Sequence, residues 1–311
     1  KRDDMNFSTI IQLLFGSLRI GSIVALATLG IVLIFRTSKA TNFAQGTIGT
    51  MNAYIAAYFM MVRGFHWVFA VLIALITAFI TGIIVDKLFI RPARKTNIVG
   101  KQILTFGIIM IFTGIMNSEI GILRTLFPSV PINPPPLFPL GASVSFLGAR
   151  IEIMTIFIFT VTFILLAFIF WFIQKTKWGL ATRVTASNEA TARLMGVPTK
   201  TVTMFSWAVA AMLGARAGVF LSARVAMDPL LLVSIQVSAF FAGVFGGFAT
   251  FHGPVIAAYL IGFMIRFTEF YMTAELKRDA VYAEVIIYFV ILVILYFKPY
   301  GLFGKKPIRK V

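Results

Sequence analysis

Apolar residues in this chain come in long unbroken runs separated by short polar breaks, not in the alternation that strands require. A helix needs about 20 apolar residues to cross the hydrocarbon core of a bilayer. Runs of that kind lie at about 8–35, 43–62, 67–90, 103–117, 151–173, 201–221 and 282–297. The first is interrupted only by Arg19 and is followed almost at once by another, so it reads as a retained span and not as a signal peptide. The stretch 232–267 is equally apolar but is broken by Gly246, Gly247, Gly253 and Pro254. Glycine and proline there free backbone groups that lipid cannot satisfy, so the break must be buried in protein or line a wet cavity. The pattern predicts two half-length helices forming a re-entrant hairpin. The expected fold is an all-α, polytopic inner-membrane helical bundle of about seven full spans plus that broken pair, a single transmembrane domain over 1–311.

Composition sharpens this picture. Of the 311 residues 59% are hydrophobic and 13% charged, against about 25% charged in a typical soluble domain. With a mean hydropathy of +0.94, a water-soluble globule of this size has too little interior to hide its apolar side chains. The same hydrophobicity excludes a disordered chain. With Cys 0, disulfides, thiol chemistry and Cys-type metal sites are excluded, and no other grouping suggests a metal site. The net charge of +17 follows from topology. Arg36, Lys39, Lys87, Arg91, Arg94, Lys95, Lys101, Lys175, Lys177, Arg183, Arg193, Lys200, Lys298, Lys305, Lys306, Arg309 and Lys310 fall near span ends on one side, which the positive-inside rule makes cytoplasmic, together with the C-terminus. Nucleic-acid binding is not needed to explain the charge.

The largest cytoplasmic stretch between spans, 174–200, has helix grammar. Ser187 or Asn188 can cap a short helix carrying Ala190, Ala192, Leu194 and Met195, and Gly196 followed by Pro198 ends it. Such a helix can rest on lipid or dock into a partner's groove.

This segment resembles the EAA loop of ABC importer permeases, and the whole chain resembles the LivH-type branched-chain amino acid permease family. The resemblance rests on Ala25 to Gly30 followed by Asn42-Phe43-Ala44-Gln45-Gly46; on Arg91-Pro92; on Ala192 to Gly196; on Gly246-Gly247 with Gly253-Pro254; and on Pro299-Tyr300-Gly301-Leu302-Phe303-Gly304. It implies a permease subunit in the bacterial cytoplasmic membrane that is not itself an enzyme and has no catalytic residue or cofactor. ATP and Mg would be bound by two cytosolic ABC ATPase subunits. It also implies a related second permease subunit (LivM-like) and an extracytoplasmic substrate-binding protein. Consistently, no Gly-x-x-x-x-Gly-Lys-[Ser/Thr] occurs in the sequence. The coupling role of the loop is carried onto Glu189, Ala190, Arg193 and Gly196. Ala190 stands where the family usually has its acidic residue, and Gln45 where it commonly has His, so no proton is expected to be carried at position 45.

For the translocation path the candidates are Asn42, Gln45 and Gly46, at a helix start, and Gly246, Gly247, Gly253 and Pro254, whose half-helix ends offer partial charges to a zwitterion. Packing alone also accounts for the glycines. Gly214-x-x-x-Gly218 and Gly243-x-x-x-Gly247 match the small-residue pattern of close helix contacts, within the chain or in a dimer. Arg19, Arg216, Arg266, Glu269 and Glu284 sit at membrane depth and call for partners; Arg266 and Glu269 are expected to pair locally, and Glu284 with Arg19 or Arg216. The proline-rich segment 119–150 is expected outside, as a docking surface or a stiff lid. Two other readings compete: a permease of the same fold for urea, short amides or another small polar solute, and an autonomous secondary transporter or channel.

Overall fold

The computed structural model describes residues 6–116, 126–127, 132–139 and 141–304. Glu119, Pro128 and Pro131 of the expected outer segment, and Lys305 and Lys306, lie outside the described residues. The chain is overwhelmingly helical: α1 (Phe7–Ser38), α2 (Gln45–Met61), α3 (Trp67–Val85) continued by a π turn (Asp86–Ile90) and a 3-10 turn (Pro92–Lys95), α4 (Ile98–Met116), β1 (Ser143–Phe146), β2 (Ala149–Glu152), α5 (Ile153–Lys175), α6 (Lys177–Ser187), α7 (Glu189–Leu194), α8 (Thr199–Ser222), α9 (Val233–Gly246), α10 (His252–Ala274) and α11 (Val281–Phe297).

Among the described residues, 6 helices are long and apolar enough to cross a membrane: Phe7–Ser38, Trp67–Ile90, Ile98–Met116, Ile153–Lys175, Thr199–Ser222 and His252–Ala274. This differs from the expected count in three places. α2 has 17 residues and buries Gln45, Thr47, Thr50 and Asn52, so it is a core helix with little lipid-facing surface. α11 also has 17 residues, a length of about 25 Å. The pair 233–274 is not made of two half-helices: α9 has 14 residues but α10 has 23 and is full length.

Contacts within the chain gather into two compact units. One comprises Leu29–Leu137 and Leu166–Gln236, and α8 is its axis, packed on α2 and α3. Glycine makes this possible. A Cβ on Gly49 would lie 2.6 Å from the Gly214 carbonyl oxygen, one on Gly218 2.9 Å from the Ala53 Cβ, and one on Gly82 2.5 Å from the Ala208 Cα. The Gly214 and Gly218 pair is therefore consumed inside the chain, by α2. Ile34, Ile48, Ala78, Val85, Ile108, Trp207 and Ala211 fill the core around the seam. Asp86 is fully buried in the π turn and accepts from Arg91 Nη2 at 3.1 Å.

The other unit comprises Lys1–Thr28, Phe138–Leu165 and Val237–Val311. In it α1 crosses α10 closely, a Cβ on Gly262 meeting the Gly21 amide nitrogen at 2.5 Å, and Ser22 Oγ shares a hydrogen bond with the Tyr259 hydroxyl at 3.1 Å. α10 packs on α11. The all-α expectation is corrected here by an antiparallel hairpin, β1 against β2, in which Phe146 opposes Ala149. Leu147 (φ 49) and Gly148 (φ 79) form its tight turn, the left-handed geometry that matches strand twist in two-residue hairpins. Ala149 and Ile151 pack on Ile11 and Phe15.

Candidate functional site

The polar arm 174–200, the expected coupling loop, folds as two helices, not one. Thr176 is extended and its hydroxyl oxygen accepts from the Gly179 amide at 3.1 Å, starting α6. Gly179 is obligatory, because a Cβ there would lie 2.2 Å from the Ile173 carbonyl oxygen. Asn188 caps α7, its Oδ1 accepting from the Thr191 amide at 3.1 Å, and Gly196 (φ 78) ends it in the left-handed conformation. Ala192 is buried under α7. Glu189 and Arg193 neutralise each other at 2.5 Å, and Arg193 Nε also donates to Thr199 Oγ1 at 3.1 Å, bracing α7 on the start of α8. Of the expected coupling residues, Glu189 and Arg193 thus spend their charge within the arm, whereas Ala190 is exposed and Gly196 has open space around it. What the arm presents outward is Leu194, 90% exposed, and Met195, 71% exposed. Sequence reasoning used both only as helix residues, although two large apolar residues beside a terminating glycine are the signal of a docking knob.

The α1–α2 joint, 39–46, is held by polar contacts from every neighbouring element of its unit. Lys39 takes a left-handed φ of 54 and its Nζ donates to the Ala186 carbonyl oxygen at 2.6 Å, at the end of α6. Burial, with the Arg36 guanidinium close by, holds that ammonium below the usual lysine range. Gln102 Nε2 donates to Thr41 Oγ1 at 2.8 Å and the Phe43 amide donates to Thr105 Oγ1 at 3.3 Å, tying in α4. Gln45 Oε1 accepts from Asn42 Nδ2 at 3.2 Å and Gln45 Nε2 donates to the Ala210 carbonyl oxygen at 2.6 Å. Gly30 and Gly214 leave room for that amide, since a Cβ at either would come within 3.0 Å of it. Gln236 completes the clamp, Oε1 accepting from the Gly46 amide and Nε2 donating to the Phe43 carbonyl oxygen. Asn42 and Gln45 are buried and partnered by protein. The sequence signal for Gln236, a solitary amide in an apolar run, was passed over.

At the α9–α10 turn the four expected residues do come together. A Cβ on Gly246 would lie 2.4 Å from the Gly253 carbonyl and the Pro254 nitrogen, and Gly247 takes φ 84. The terminal Pro299–Gly304 segment seats on the same turn: the Leu302 amide donates to the Phe245 carbonyl oxygen at 2.7 Å, a Cβ on Gly301 would meet the Val244 carbonyl oxygen at 2.5 Å, and the Phe303 ring meets His252 edge-on at 6.2 Å between centroids. The turn therefore lies level with the end of α11, not midway along it. Gly243 faces the Phe248 ring of the turn, so Gly243-x-x-x-Gly247 is not a helix–helix seam.

Of the charges inside helices, Arg266 pairs with Glu269 at 3.1 Å as expected. Arg19 pairs instead with Glu152 of β2 at 3.1 Å. Glu284 forms no ion pair with Arg19, and one turn along α11 the Tyr288 hydroxyl meets Ser238 Oγ at 2.7 Å. Arg216 stacks on Phe220, its guanidinium carbon 4.4 Å from the ring centroid.

Long apolar helices, a glycine seam, a capped polar arm between two of them and a tight glycine turn define a multi-pass membrane protein. The chain belongs to the family described as "Branched-chain amino acid transport system / permease component", which it matches over residues 13–295. It is 25% identical over 94% of its length, and 92% of the relative's, to the probable branched-chain amino acid transport permease protein LivH of Methanocaldococcus jannaschii. It is 26% identical to the high-affinity branched-chain amino acid transport system permease protein BraD of Pseudomonas aeruginosa, over 97% of this chain and 98% of that one. Salmonella typhimurium LivH is 25% identical, over 98% and 99% of the two chains. Among solved structures it is similar to PsaBC from Streptococcus pneumoniae in complex with Fab, at a TM-score of 0.48 and 12% identity over 94% of this chain and 92% of that one.

Proposed function

We propose that this chain is the transmembrane subunit of an ATP-driven importer of branched-chain amino acids, working by alternating access. The reading is carried by the match to the permease family over residues 13–295. In this reading the arm 174–200 faces the cytoplasm and Leu194 and Met195 enter a groove on one of two ABC ATPase subunits, which bind ATP and Mg. A second, LivM-like permease subunit and an extracytoplasmic substrate-binding protein complete the assembly in the bacterial inner membrane.

Closure of the ATPases pushes the arm. The arm is continuous with α8, and α6 is held to the α1–α2 joint by Lys39. The push therefore reaches α2 by two routes, through the glycine seam and through the joint. Because Asn42, Gln45 and Gly46 are occupied by protein partners, and Gly246, Gly247, Gly253 and Pro254 by backbone packing, both places serve as pivots of the moving helices.

The test is uptake of radiolabelled leucine into proteoliposomes holding the whole complex, with and without ATP, repeated with Gly196→Trp. ATP-dependent uptake that the substitution abolishes, with the complex intact, supports the reading. Uptake by this chain alone, indifferent to ATP, replaces it with an autonomous carrier. ATPase stimulation by urea or a short amide, and none by leucine, replaces the cargo.

A further inference from the structure

Two of the arginines at membrane depth each have a carboxylate: Arg19 has Glu152 and Arg266 has Glu269. Arg216 does not. It is only 8% exposed, its Nε has no hydrogen-bond partner, and no carboxylate of the described residues lies within ion-pair distance of it. Its guanidinium lies over the face of Phe220, one turn further along α8. A largely buried guanidinium with no carboxylate partner is costly at membrane depth, and the seam that α8 makes with α2 does not use it. The neighbours Gly214, Ala215, Ala217 and Gly218 are small, and the seam to α2 is made by Gly214 and Gly218.

Stacking on Phe220 fixes the plane of the guanidinium while leaving its edge donors unspent. That is the presentation that receives a planar carboxylate through two parallel hydrogen bonds. Arg216 lies six residues before the end of α8 at Ser222, about 9 Å along the axis. We propose that Arg216 receives the carboxylate of the amino acid in transit. The inference rests on the importer reading and adds to it the group that distinguishes a zwitterion from a neutral amide.

Two measurements on the reconstituted complex test it. In the first, Arg216→Met lowers leucine uptake about tenfold or more, as loss of one partner of a desolvated charge pair does, while stimulation of the ATPases by loaded binding protein persists; Arg216→Lys restores part of the uptake. In the second, phenylglyoxal labelling of Arg216, read by mass spectrometry on the wild-type complex, is slowed by leucine and by 4-methylpentanoate but not by leucinamide. Equal protection by leucinamide, no protection by any of the three, or no labelling without ligand overturns the inference, since a guanidinium closed to a small dicarbonyl is closed to a carboxylate. Unchanged leucine uptake by Arg216→Met also overturns it and leaves the importer reading standing. Absence of leucine uptake by the wild-type complex overturns the importer reading and this inference together.

Discussion

Residues 42–49 and 246–254 look alike in sequence, each a cluster of glycines at the start of a helix, yet they are held in different ways. At 42–49 the glycines only make room, and amide side chains hold the joint: Asn42, Gln45 and Gln236 bind one another's backbone surroundings. At 246–254 the glycines are themselves the contact, backbone on backbone, with the Tyr300 and Gly304 backbone as the lid. A joint held by side chains can exchange partners one hydrogen bond at a time. A backbone knot has no graded intermediate, because any added atom collides with a main chain that cannot rotate away. The first arrangement suits a pivot that must yield, the second one that must stay fixed while helices turn about it.

The largest effect is expected at the knot. Gly246→Ala should destabilise the assembled complex by at least about 3 kcal/mol, seen as loss of a monodisperse complex or a collapse of its thermal midpoint; a variant that melts like wild type would show that the knot gives way. Gly49→Ala, which forces the seam apart at the Gly214 carbonyl, should cost about 2 kcal/mol, less because two helices can separate slightly where a main-chain turn cannot open. Gln45→Leu leaves the Ala210 carbonyl and the Asn42 amide without their partner and should cost about 1–3 kcal/mol. If it is neutral, the joint is not held by its amides and the contrast drawn here fails. Lys39→Met should change stability by less than about 1.5 kcal/mol but lower the leucine taken up per ATP hydrolysed, since the tie from α6 to the joint is cut. Glu189→Gln should change the thermal midpoint least, about 0.5 kcal/mol or less, because the Glu189 and Arg193 side chains are both largely in solvent.

The long spans were legible because apolar runs longer than a bilayer is thick have few other solutions, and α1, α3, α5 and α8 begin and end within a few residues of expectation. The α7 helix was legible from Asn188 and Gly196. α6 was not, since Gly179 and two threonines weaken its propensity and its start depends on a tertiary fit to Ile173. The hairpin at 143–152 was hidden behind prolines that drew attention to rigidity instead. The motifs 246–254 and 299–304 were each recognisable, but their contact is long-range and leaves no mark in either. Arg19 found Glu152, a residue at the edge of a span, where sequence reasoning had searched only among acids inside spans.

The glycine seam between α2 and α8 also removes the compliance that flexible side chains normally provide between helices. With Gly49 lying directly on the Gly214 backbone, sliding α8 by a single residue's rise, about 1.5 Å, must either carry α2 along or drive the two backbones into each other. The contact has no backlash, so a stroke entering at Thr199 reaches the buried amides of α2 without being absorbed on the way.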